Sequence, residues 1–274
     1  MGERVMEVAR HCGRQELGRQ ELGRQELGRQ ELGRLIRTRR SAHGFVPASN
    51  PEAEAHMTLA TFTEMVSCAL YTTPSSVDDA CVSLIVYAPW VLGLEPGVYA
   101  VPVNAAAEHV MRDQVAEHCP WEEVTLPTAD GETITMWTLV KATPKRVATA
   151  AKRAACSQNL ARDAPCTFGM VALFPQGDRL DPAVYRVAHL EAGGIGNALY
   201  LCAEASGLSG TGIGCFLDST IDSVFPRRDG RLRFVYFFVV GLEDPDTKYS
   251  MIETGFARPH TSATSVSDVV LDLT

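Results

Sequence analysis

The stretch Y-R-V-A-H-L-E-A-G-G-I-G-N-A-L-Y-L-C-A-E-A-S, residues 185–206, runs directly into G-L-S-G-T-G-I-G-C-F, residues 207–216. The apolar spacing of the first part predicts one long helix from Tyr185 to Ser206. Each glycine inside a helix costs about 1 kcal/mol relative to alanine. Gly193, Gly194 and Gly196 therefore point to a helix approached closely by another helix or by a ligand. The second part, Gly207 to Gly214, reads as a glycine-rich loop, with Gly207 as a helix C-cap. A dinucleotide fingerprint needs G-x-G-x-x-G between a strand and a helix. Here the spacing is G-x-G-x-G and a helix precedes it, which excludes that motif. What the loop offers is backbone that can come close to a flat ligand and present N–H groups.

Working outward, Met57 to Tyr71 carries Leu59, Phe62, Val66 and Leu70 at helical spacing. Val82 to Tyr87 and Gly97 to Val101 read as buried strands, joined by G-L-E-P-G. Ala105 to His118 and Arg146 to Asp163 read as helices. Asp130-Gly131 is a turn signal before a β-rich run from Thr133 to Val140. Phe168 to Phe174 and Leu232 to Val240 complete the strands, and the last thirty residues read as an irregular tail. Helices and strands mix without strict alternation, so the expected class is α+β, with a mixed, mostly antiparallel sheet flanked by helices.

The chain has 274 residues, with 25 basic and 33 acidic side chains and a formal charge of −8. Phosphate neutralisation needs a surplus of clustered Lys and Arg, so a nucleic-acid partner is not expected. No apolar run approaches the ~20 residues of a membrane span, so no membrane partner is expected either. Residues 13–32 are four copies of G-R-Q-E-L. Five residues advance a helix by ~500°, so the leucines drift around the axis and form no stripe. Residues 1–34 are expected to be a frayed or disordered tail, and 35–274 a single folded domain. The eight cysteines include no C-x-x-C pair and no zinc spacing, so no metal site is expected. They read as buried thiols of a cytoplasmic, reducing compartment. Cys156 and Cys166 are included in that reading, and His189 reads as a satisfied core histidine. His56, His109 and His118 read as surface imidazoles.

Three short motifs remain. Arg39-Arg40-Ser41, with His43 nearby, supplies two guanidinium groups and a hydroxyl of the kind that hold a phosphate. Pro74-Ser75-Ser76, with Asp78 and Asp79, is a polar turn between a helix and a strand. The third is the glycine stretch itself. Together they resemble the flavin-dependent nitroreductase family, in its R-R-S opening and its P-S-S turn. G-L-E-P-G-V-Y (Gly93 to Tyr99), Ala164-Pro165, Y-R-x-A-x-L-E-A-G (Tyr185 to Gly193) and G-L-x-G-T-x-I-G-x-F (Gly207 to Phe216) are similar to its SagB-type dehydrogenase branch, which includes azoline oxidases. The resemblance covers roughly residues 35–260.

That resemblance implies a homodimer with a central small-residue helix and FMN between the subunits. It implies that Arg39, Arg40 and Ser41 grip the phosphate, assisted by Arg258. Pro74, Ser75 and Ser76 would line the ribityl chain and ring edge. The Gly212-Ile213-Gly214 backbone would meet the isoalloxazine, with the Gly214 N–H near N5. His43, Asp78 and Gly194 depart from the family pattern, and Tyr185 has no adjacent Lys of the kind peptide-oxidising members carry. The expected activity is therefore a ping-pong flavin cycle between NAD(P)H and a small acceptor such as a nitroaromatic or quinone. The alternatives are a SagB-type dehydrogenase acting on a peptide, a flavin-binding protein without turnover, and an α+β scaffold that binds no flavin.

Overall fold

The computed structural model describes residues 31–50, 52, 54–71, 81–115, 119–128, 131–174, 182–216 and 231–247. Residues 1–30 of the repeat tail, Pro74, Ser75, Ser76, Asp78, Asp79, Asp130, His118, Arg179, Arg258 and residues 248–274 lie outside the described residues. The helices are α1 (residues 31–38), α2 (Leu59–Tyr71), α3 (Ala105–Gln114), α4 (Pro144–Ala154), α5 (Asn159–Asp163) and α6 (Pro182–Ala205). The strands are β1 (Met57–Thr58), β2 (Val82–Ala88), β3 (Val91–Leu92), β4 (Gly97–Val101), β5 (Glu122–Pro127), β6 (Thr133–Lys141), β7 (Cys166–Leu173), β8 (Ser209–Ile213) and β9 (Leu232–Gly241).

Seven strands form one sheet in the order β5-β6-β4-β2-β7-β9-β8, and every neighbouring pair in it is antiparallel. The short β1–β3 pair, outside this sheet, is parallel. The central strands β2 and β4 are buried along their whole length. A strand covered on both faces has no solvent side to make polar, which is why V-S-L-I-V-Y-A reads as a nearly unbroken apolar run. One face, through Leu84, Val86, Phe168, Met170 and Phe238, packs on α2 and α6. The other, through Ile85, Tyr87, Val171 and Phe237, packs on α3, α4 and α5. The result is a three-layer α+β architecture.

Local chemistry sets the helix boundaries. Asn104 caps α3, its side-chain oxygen accepting from the Ala107 N–H at 2.8 Å. Pro144 occupies the first turn of α4, where its missing N–H costs nothing. Val147, Ala148, Ala151 and Ala154 then bury one face at helical spacing.

Two sequence expectations need correction here. The helix expected over Arg146 to Asp163 is two helices, because Cys156 and Ser157 adopt φ of 54° and 60° and break it after α4. The stretch Gly207–Gly214 is not a loop throughout. Gly207 turns the chain at φ 71° as expected, but Ser209–Ile213 is a strand paired with β9. The partner strand supplies the bulk that the glycines lack. A Cβ on Gly210 would stand 2.5 Å from Phe238 Cζ, and one on Gly212 would meet the ring of Tyr236. Glycine at both positions lets the aromatic side chains of β9 lie across β8.

Helix α6 is held against this sheet by a buried carboxylate. Glu191 is 5% exposed, and its oxygens accept the Cys81 N–H at 3.0 Å and the Val82 N–H at 3.1 Å. The Cys81 thiol also donates to it, at 3.1 Å. Burial, and then the Glu191 hydrogen bond and charge, push that thiol up to about 12. The folded chain thus keeps the Cys81 proton over a range where the unfolded chain, near 9.0, has lost it. The proton count favours the folded state below the unfolded value, and this contribution fades as pH rises from about 9 toward about 12. Urea titrations across that range are expected to show a smaller alkaline loss of stability for Cys81→Ala than for the wild type. Identical slopes would count against the coupling.

In the opposite layer, the Tyr87 hydroxyl is fully buried with no hydrogen-bond partner among the described residues. An unmet buried hydroxyl is a liability, so Tyr87→Phe is expected to be neutral or to stabilise the fold by about 1 kcal/mol. A clear loss of stability on denaturation would show that the hydroxyl does bond.

Candidate functional site

At the β8 edge of the sheet, residues from three parts of the chain meet on one phenol. The backbone leaving α1 runs beside β8: Ser41 bridges to Gly210 in parallel sense, and the Ala42 N–H donates to the Gly210 carbonyl at 3.1 Å. The Thr211 hydroxyl donates to the Ala42 carbonyl at 2.6 Å, closing the junction from the other side. Tyr200, near the end of α6, then links the parts. Its hydroxyl accepts the Gly212 N–H at 3.0 Å and shares a 2.8 Å hydrogen bond with Ser41 Oγ. The Arg39 guanidinium lies over its ring, 4.5 Å from the centroid, in a cation–π arrangement. Phe238 of β9 meets the same ring edge-on at 4.6 Å.

Arg39, Ser41 and Gly212, singled out separately in the sequence, are thus one cluster. Arg40 is not part of it. Its guanidinium turns back to donate to the Arg37 and Arg39 carbonyls at 2.8 and 2.7 Å, capping the end of α1. The Ile213 side chain is buried in the α3–α5 layer, and Gly214 is exposed just past the strand end. Burial, with the Tyr200 phenol beside it, pushes the Tyr236 hydroxyl above its ordinary range. At neutral pH the cluster therefore presents one permanent positive charge, from Arg39, among neutral hydroxyls and strand backbone.

The small residues of α6 divide by face. Gly196 faces the sheet in ordinary contact with Met170 and Phe238, whereas a side chain on Gly193 would meet nothing within 4 Å. The close approach expected of Gly193 is therefore not made by any of the described residues. On the same outer side Val187 and Leu190 are exposed, Leu190 to 76%. His189 is not a core histidine but an exposed one, its Nδ1 2.9 Å from the Tyr185 carbonyl and its ring 4.2 Å from that of Tyr185. His56 is half-buried, edge-on to Trp90. Tyr200 was the residue the sequence hid. A tyrosine between Leu199 and Leu201 on an apolar helix reads as core, and only the register of α6 over β8 shows that its hydroxyl reaches polar partners.

If the phenol is the junction, Tyr200→Phe removes two hydrogen bonds and leaves the Gly212 N–H short of a partner. A loss of about 1–3 kcal/mol on chemical denaturation is expected. Faster amide exchange at Gly212 than in the wild type should accompany it, and an unchanged rate would place the junction elsewhere.

No family model matches the sequence, and no curated protein matches it. Solved structures do match. A protein from Anabaena variabilis assigned as a nitroreductase superposes with a TM-score of 0.55 at 16% identity, over 79% of this chain and 39% of that longer one. A second from Ralstonia eutropha, likewise assigned as a nitroreductase, superposes with a TM-score of 0.50 at 13% identity, over 78% of this chain and 83% of its own. This chain thus spans well under half the length of the Anabaena protein. At such identities the likeness speaks to architecture alone. No described helix is long and apolar enough to cross a membrane. Three layers around an antiparallel sheet, with a long small-residue helix laid over a glycine-bearing edge strand, make this an α+β chain with the nitroreductase fold.

Proposed function

We propose that this chain is an FMN-dependent oxidoreductase that passes electrons from NAD(P)H to a small organic acceptor, such as a nitroaromatic or a quinone. The observation that carries the reading is the convergence of Arg39, Ser41 and Gly212 on Tyr200 at the rim of β8. A phosphate monoester is recognised by a guanidinium with adjacent hydroxyl or N–H donors, and Arg39 with Ser41 is such a set. The group fits because the charge is there, beside backbone kept bare by glycine. FMN, when bound, supplies the hydride and electron chemistry, and the chain's residues bind and orient it.

In this reading Arg39 and Ser41 hold the phosphate, while Tyr200 keeps both at a fixed distance from β8. The backbone of Gly212, Ile213 and Gly214 lies along one edge of the ring system. Pro74, Ser75 and Ser76 line the remainder, and Arg258 and Arg40 add charge. Arg40 would have to leave the α1 carbonyls to do so. The exposed apolar stripe of Val187 and Leu190, with open space above Gly193, fits a second copy of the chain packed against α6. That copy would exclude water from the site.

Purified protein is expected to show flavin absorption bands, and heat is expected to release FMN from it. Charge-assisted hydrogen bonds are worth about 1.5–3 kcal/mol each, so Arg39→Ala should weaken FMN binding by about tenfold or more, with the circular dichroism unchanged. Unaltered affinity in fluorescence titration would sink the phosphate assignment. A colourless protein that takes up no added FMN would sink the class. FMN bound without NAD(P)H oxidation would leave a binding protein.

A further inference from the structure

Among the reactive side chains not yet placed, Cys166 is buried as expected, whereas Cys156 is half-buried and Cys215 exposed, which corrects the reading of both as buried thiols. The side chain that reaches the edge cluster is Tyr236. From Phe234 to Gly241 every residue of β9 is buried except Tyr236, which is half-buried.

A bulge decides which way it points. Tyr236 pairs with Met170 and Phe234 with Val171, so Val235 is an extra residue in β9. Leu232 and Phe234 face the layer of α3, α4 and α5, and strict alternation would send Tyr236 there too. The extra residue reverses the alternation, and Val235, Tyr236 and Phe238 lie on the α6 side. Bulges recur beside ligand sites because they re-aim one side chain in this way. On that side the phenol lies along β8. A Cβ on Gly212 would stand 2.8 Å from Tyr236 Cε1 and nearer still to its hydroxyl oxygen, and one on Gly214 would stand 3.5 Å from Cε2.

The two phenols of the cluster differ in what they have spent. The Tyr200 hydroxyl is engaged by the Gly212 N–H and by Ser41 Oγ. The Tyr236 hydroxyl has no hydrogen-bond partner among the described residues. It keeps its proton at neutral pH, because burial and the neighbouring Tyr200 both oppose its loss. A half-buried donor of this kind spends its proton on water until a ligand with an acceptor takes the water's place. We propose that Tyr236 is a ligand-binding residue of this site, its phenol donating to an acceptor atom on the ring system that lies along Gly212–Gly214. This deepens the flavin reading above and rests on it. An isoalloxazine presents carbonyl oxygens and unprotonated ring nitrogens at its edges, each able to accept that proton. Arg39 and Ser41 then recognise the phosphate end of the ligand and Tyr236 the ring end, with Tyr200 as the strut between them.

Tyr236→Phe keeps the ring over Gly212 and removes only the hydroxyl, so the melting temperature without ligand should match that of the wild type. Full-length proteins are titrated by fluorescence with FMN and with riboflavin, which has the same ring system and no phosphate. Tyr236→Phe is expected to weaken both flavins by the same factor, about two- to tenfold, and to shift the visible absorption band of the bound flavin. Arg39→Ala is expected to weaken FMN alone and to leave the band in place. Wild-type affinity for both flavins with an unmoved band in Tyr236→Phe would overturn the inference and leave the flavin reading standing. So would a loss of affinity for FMN but not for riboflavin, which places the phenol at the phosphate. A wild type that binds neither flavin would overturn the reading itself, and this inference with it.

Discussion

A carboxylate taken into a protein interior must be met by donors or it destabilises everything around it, and Glu191 is met by two backbone N–H groups and a thiol at the start of β2. That arrangement sets how α6 lies on the sheet. Nine residues further on, about 13 Å along the axis and on the opposite side of the helix, Tyr200 bonds to Gly212 of β8. Val82 stands in register with Ala172 and, through it, with Arg233, whereas Gly212 is paired with Phe238. The helix therefore crosses the sheet obliquely, from the middle strand to the edge. Fixed at one place by a charge and at another by a phenol, it has little freedom to slide or turn, and the position of the edge cluster follows from that of the buried carboxylate.

Much of this was legible in the sequence where one periodicity dominated. β2, β4, β6, β9 and α6 fall within a few residues of where their apolar patterns put them, because a strand buried on both faces and a long helix each leave a clear signature. The failures have physical causes. Gly210 and Gly212 read as loop because they carry no side chains, and the bulk that makes them a strand, Phe238 and Tyr236, lies on a partner strand some twenty-five residues later. The alternation of Tyr236 and Phe238 against the two glycines is a real signal, but it can be read only once the register is known. The break at Cys156 and Ser157 gave no sign, since neither glycine nor proline marks it.

The candidate site was half legible. Arg39 and Ser41 stood out by residue type, but nothing in the composition distinguished Arg39 from Arg40. Orientation separates them: one guanidinium lies over an aromatic face, and the other is drawn back onto the carbonyls at the end of its own helix. Two adjacent residues of the same chemistry point apart because a chain leaving a helix toward a strand turns successive side chains to different sides.

The seam between Ser41–Ala42 and β8 joins positions 169 apart in sequence, as the Thr211 hydrogen bond to Ala42 does. Closing so long a loop costs chain entropy before any contact rewards it, and topologies built on such pairings fold slowly. The edge cluster needs α1, the end of α6 and β8 together, so it is among the last parts of the chain able to form. A partly folded chain can hold most of its sheet and still lack the place where Arg39, Ser41 and Gly212 meet. Affinity for a ligand held at that cluster, as proposed, would thereby report on the completion of folding.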